Sequence, residues 1–133
     1  MPLDQAGLAE LMQRLSTASA RLAALISEAV AEWAPDAPPP TVVMGSIGSA
    51  LVEHCDDFTD GELDTILGTV EDVLLSQSET TKDIVATGLL EAMLHAGDKL
   101  PLPLVRVMGF VRPQSRAYCD AWNEFCGVEN PRR

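Results

Sequence analysis

Basic residues are scarce in this 133-residue chain, with nine Lys and Arg against twenty Asp and Glu and a formal net charge of −11. That shortage excludes nucleic acid as an expected partner, because polynucleotides are held by Lys and Arg that neutralise phosphates. It equally removes the basic segments by which proteins settle on anionic membranes. No uncharged apolar run approaches the roughly 20 residues that cross a bilayer. The start, Met1-Pro2-Leu3-Asp4-Gln5, lacks the basic stretch and apolar core of an export signal, so a cytoplasmic protein is expected. Cysteine is sparse as well. Cys55, Cys119 and Cys126 are an odd three, against the pattern of a secreted disulfide framework. Cys119 and Cys126 lie about 10.5 Å apart along a helix, too far to bridge. All three read as small buried apolar side chains.

Catalytic signatures are missing too. There is no Walker loop, dinucleotide fingerprint, Gly-x-Ser-x-Gly elbow or His-Glu-x-x-His helix, and no enzyme is expected. His54 stands among Glu53, Cys55, Asp56 and Asp57, but on a helix it points about a quarter turn from the face that Glu53 and Asp57 share. The order Asp-x-Asp-x-Asp-Gly of a calcium loop is absent, so neither metal nor cofactor is expected. Glu91 and His95, four apart, can face each other on a helix and support base catalysis. No nucleophile or oxyanion donor accompanies them, and local pairing near a helix end is the simpler reading. Arg112 with Arg116, and Tyr118 with Trp122, are neighbours at the same spacing. They form either a cation–aromatic cluster or two core rings, with arginines that pair with Asp120 or the acidic helices.

What is present is helical periodicity. Leu8, Leu11, Leu15, Ala18, Leu22, Leu25 and Ala29 recur at steps of three and four, a heptad seam within a long first helix over residues 4–33. Such a helix would extend about 45 Å, longer than a domain of this size needs. It either breaks near Ser16–Ser19 and packs on its own domain, or projects and pairs with a second copy. A proline-rich loop over 34–41 follows, then a helical core over 42–127. The next helix presents Met44, Ile47, Leu51 and Val52, and Gly45 and Gly48 imply close approach of a neighbouring helix. Thr59-Asp60-Gly61-Glu62 is a capping box. It opens a helix that buries Leu63, Ile66, Leu67, Val70, Val73 and Leu74. A cap at Thr80–Asp83 opens a fourth helix that is apolar nearly all round, as a central helix should be. A short helix carries Leu104, Val105 and Met108. A last one, begun by Pro113, buries Tyr118, Cys119, Trp122, Phe125 and Cys126. The expected fold is all-α: a single-domain helical bundle of five or six helices with a central apolar helix.

Charge is unevenly placed. Between Arg21 and Lys82 there are twelve acidic residues and no basic one. Acidic faces keep proteins soluble. They also steer a basic partner and speed its association. The densest run supplies the expected contact patch of Glu53, Asp56, Asp57, Phe58, Asp60, Glu62 and Asp64, with Phe58 as the aromatic anchor inside a carboxylate ring.

Three further stretches carry a likeness: Val43-Met44-Gly45 at a helix start, Thr87-Gly88-Leu89-Leu90-Glu91-Ala92-Met93-Leu94, and Arg116-Ala117-Tyr118-Cys119 with Ala121-Trp122 and Phe125. In these the chain resembles the small acidic all-α immunity proteins of bacterial polymorphic toxin systems. The resemblance implies a non-catalytic protein that binds a cognate toxin and occludes or distorts its active site, and the acidic patch adds the expectation that the toxin's surface there is basic. The alternative is a structural or adaptor protein that forms a homodimer through the N-terminal heptads.

Overall fold

Ser19 decides the shape of the N-terminal third. The computed structural model describes residues 5–76 and 79–125, and here the heptad seam is split into α1 (Gln5–Ala18) and α2 (Ala20–Ala31). Ser19 is extended and 2% exposed, and its hydroxyl accepts from the Leu22 N–H at 3.1 Å. A side-chain acceptor at this position satisfies one of the unpaired donors at a helix start, so the break is a cap rather than a kink. The expected single helix over 4–33 is thereby corrected to two. Leu8, Leu11, Leu15, Leu22 and Ile26 are buried, and Leu25 and Ala18 are partly so. The seam is covered by its own chain, with α1 against α2 and against the later helix Asp60–Ser76, and α2 against the helix Pro40–Glu53.

After the proline-rich segment, α3 (Pro40–Glu53) begins at a proline, whose missing N–H costs nothing in a first turn. Its Met44, Ile47, Leu51 and Val52 are buried, as the spacing implies. A single 3₁₀ turn, Cys55–Asp57, leads to α4 (Asp60–Ser76). The capping box forms in full: the Thr59 N–H donates to Glu62 Oε1 at 2.9 Å, and the Glu62 N–H donates to Thr59 Oγ1 at 3.1 Å. The Thr59 N–H holds the Glu62 carboxyl below its usual value. Thr59→Ala is expected to cost about 1 kcal/mol, read as a lower urea midpoint at unchanged slope.

The fourth rod has three parts. α5 (Glu79–Ile84) passes into a π-helical segment, Val85–Leu90, and then into α6 (Glu91–Gly97). Thr80 and Thr81 lie inside α5, so the expected cap there is not used. The rod touches α3, α4 and the two helices that follow it. Its circumference is not fully covered, because Thr87 and His95 remain exposed. α7 (Pro101–Met108) and α8 (Pro113–Phe125) complete the chain. The described residues are all-α and form seven helical rods, one more than the upper expectation because of the break at Ser19. One hydrophobic core runs from Leu8 to Cys119. Among the described residues, no helix is long and apolar enough to cross a membrane.

Candidate functional site

The acidic stretch singled out by its charge is held by the chain's own arginines. Arg21 Nε lies 3.1 Å from Asp57 Oδ2, Arg106 Nη2 lies 2.9 Å from Asp60 Oδ1, and Arg112 Nη2 lies 3.0 Å from Asp64 Oδ1. Arg14 reaches Asp72 in the same way, at 2.8 Å. Pairs this exposed stabilise little, about 0–1 kcal/mol each, yet each cancels charge that the expected docking face required. Glu62 is occupied by its own helix start. Phe58 is corrected outright: it is 2% exposed, within the core. Arg106 donates to the carbonyls of Phe58 and Cys55 as well as to Asp60, strapping this loop to α7 and leaving the ring unable to enter a partner. Among the described residues Glu53 and Asp56 are exposed with no ion-pair partner, and Glu53 borders a hollow of about 430 Å³ between α2 and α3 with Glu28 and Glu32. His54 lies 3.5 Å from Asp57 and 3.4 Å from Arg21. Among the described residues, no three His, Cys, Asp or Glu side chains are arranged to hold a metal ion.

A different arrangement forms where α3, the π segment, α6 and α8 meet. The backbones approach closely here. A Cβ built on Gly88 would stand 2.6 Å from Met44 Cβ and 2.9 Å from the Thr41 carbonyl oxygen. Beside this contact, Thr87 and Glu91 project one turn apart from the rod. Tyr118, on α8, donates its hydroxyl proton to Glu91 Oε2 in a short hydrogen bond. Burial first, and then this bond, push the Tyr118 hydroxyl up to about 12, so it stays a donor at neutral pH. Trp122, one turn further along α8, stacks with Phe125 at a centroid separation of 5.9 Å and an interplanar angle of 28°. Phe125 is 83% exposed rather than core, and Cys126 lies outside the described residues.

Beside these groups lies an open cleft of about 530 Å³ lined by Thr41, Gly45, Thr87, Glu91, Asp98 and Trp122, among others. Its lining includes two carboxylates and no Lys or Arg. His95 borders it and lies 4.0 Å from Asp98, while Glu91 is engaged by Tyr118 rather than positioned as a base. Arg112 pairs with α4 and Arg116 donates to the carbonyls of Met108 and Val111, so the arginines form no cluster with the rings. The thiol of Cys119, buried beside Asp120, is pushed up to about 12 and is inert as a nucleophile. With an aromatic wall and carboxylates but no activated nucleophile, the cleft is suited to holding a cationic group. π turns within α-helices occur often at functional sites.

Glu91, Tyr118 and Trp122 each stood out in the sequence, in other pairings. The bond between Glu91 and Tyr118 spans 27 positions and two helices, and no periodicity signals it. The three stretches that carry the resemblance meet here: Gly45, Thr87 with Glu91, and Trp122 line the cleft, and Tyr118, outside that lining, bonds to Glu91. Comparison with protein-family models, curated proteins and solved structures finds no match to this chain.

Proposed function

We propose that this protein is an immunity protein, a non-catalytic binder that neutralises a cognate bacterial toxin in the cytoplasm by covering its basic active-site face. The observation that carries the reading is the convergence of the three resembling stretches on one cleft with an aromatic wall, two carboxylates and no Lys or Arg. The contact surface is centred there rather than on residues 53–64, where arginines of the same chain neutralise Asp57, Asp60 and Asp64. A net charge of −11 supplies long-range attraction to a basic partner. Burial of Leu8, Leu11, Leu15, Leu22 and Ile26 in the chain's own core supports this reading over the homodimer alternative.

The test is co-expression with the toxin domain encoded beside this gene. The wild-type chain is expected to restore growth and to bind the toxin with an association rate that falls about tenfold or more between roughly 0.05 and 0.5 M salt. Growth arrest that the chain does not relieve, or a locus encoding no such toxin, removes the reading.

A further inference from the structure

We propose that the cleft is a pocket for one arginine side chain of the partner, its guanidinium lying on the Trp122 ring and pairing with the Glu91 carboxylate. This deepens the binding-protein reading and rests on it. The floor of the pocket is backbone. Gly45 and Gly88 bring α3 and the π segment together without side chains, and a Cβ on Gly45 would meet the Gly88 oxygen only at 3.8 Å. One wall is the half-buried indole of Trp122, backed by Phe125. Glu91 lines the same recess, half-buried and held by Tyr118 through Oε2, while its Oε1 has no hydrogen-bond partner among the described residues.

A half-buried carboxylate beside an aromatic face, in a recess with no Lys or Arg, lacks the cation that would complete it. Arginine fits better than lysine on two counts. Its planar guanidinium stacks on an indole while its edge donates to a carboxylate, and it is more weakly hydrated, so it enters a recess at lower cost. Asp98, which also lines the cleft and lies 4.0 Å from His95, adds a second negative charge. The volume of about 530 Å³ admits the side chain and the flanking backbone of the segment that presents it.

The experiment uses the full chain labelled with ¹⁵N and the peptide acetyl-Gly-Arg-Gly-amide, with lysine and citrulline counterparts. The chain has two tryptophans, Trp33 and Trp122, so two indole N–H resonances report separately. The arginine peptide is expected to shift the Trp122 resonance saturably at millimolar concentration and to leave Trp33 in place. The lysine peptide should bind about threefold more weakly and the uncharged, isosteric citrulline peptide about tenfold more weakly. Glu91→Gln should weaken the arginine peptide about tenfold. Should that variant fold poorly, Trp122→Phe, which keeps a ring of smaller cation affinity, is expected to weaken it about threefold. A response equal for citrulline and arginine, or an unmoved Trp122, overturns the pocket. Toxin neutralisation that survives Glu91→Gln and Trp122→Leu together also overturns it while leaving the immunity reading intact. Arginine-peptide binding by a chain that relieves no toxin supports the pocket and removes that reading instead.

Discussion

Gly48→Ala is expected to unfold this protein under conditions in which Gly45→Ala remains native. The two glycines lie three apart on α3, and a survey of composition would treat them alike. Their surroundings differ. A Cβ on Gly48 would stand 2.1 Å from the Leu89 carbonyl oxygen and 2.9 Å from its carbon, both backbone atoms of the π segment. No side-chain rotation relieves that overlap. The helices would have to part along a contact that buries Met44, Ile47 and Leu51 on one side and Val85, Leu89 and Leu90 on the other. Overpacking a core commonly costs 1–3 kcal/mol where side chains can shift; with backbone against backbone, about 3 kcal/mol or more is expected. That is a large share of the roughly 5–15 kcal/mol that holds a domain together. On Gly45 the added methyl meets only ordinary contact, and alanine's greater helix propensity is worth up to about 1 kcal/mol. Urea unfolding of the two variants checks this, and a wild-type midpoint for Gly48→Ala would refute the close contact.

The second large effect belongs to Glu71. This carboxylate on α4 is 8% exposed. It accepts from the Gln114 N–H at 2.8 Å, the Ser115 N–H at 2.9 Å and the Ser115 hydroxyl at 2.9 Å. It therefore caps α8 from a different helix, satisfying donors that α8 cannot satisfy itself. Glu71→Ala leaves these donors, of which the two on Ser115 are buried, without their acceptor and is expected to destabilise the fold by about 3 kcal/mol. Because α8 carries Tyr118 and Trp122, the cleft should loosen as well.

The same interaction predicts a pH dependence. Burial tends to raise the Glu71 carboxyl, but the hydrogen bonds from Gln114 and Ser115 outweigh it and hold the group below the usual 4.5. A carboxyl with a lowered folded value binds its proton more readily in the unfolded chain, so its contribution is complete above about 4.5 and is lost as the pH falls through the lowered value. Between neutral pH and about 3, the wild type should therefore lose more stability than Glu71→Gln, whose amide does not titrate. Denaturant midpoints measured across that range test it, and parallel pH profiles would count against this role.

Local features were readable from the sequence, and long-range ones were not. The capping box at Thr59 and Glu62, the buried stripe from Leu63 to Leu74, and the close approach implied by Gly48 rest on neighbours within a few positions or on a missing side chain. The break at Ser19 was legible as one of two outcomes, since serine serves both as a weak helix interior and as a strong cap. The ion pairs of Arg106 with Asp60 and Arg112 with Asp64 join residues 46 and 48 positions apart. The run of acids looked unopposed because its counter-charges arrive from the other end of the chain. Phe58 misled for a related reason: polar neighbours in sequence do not keep a ring exposed when its own side chain turns inward. The cleft was visible only in fragments, because its walls come from three separated stretches.

The wide turn at Val85–Leu90 has a geometric corollary. Relative to an uninterrupted α-helix it sets a phase offset, and one α-helical residue corresponds to about 100° of rotation. Upstream of the offset, α5 is aligned to α3 and α4; downstream, α6 is aligned to α3, α7 and α8. Forcing regular α-helical bonding on the widened turn without removing a residue would swing Glu91 about the axis, out of line with Tyr118. The irregularity thus works as an angular adjuster, letting one rod serve two sets of neighbours that no uniform pitch could satisfy together.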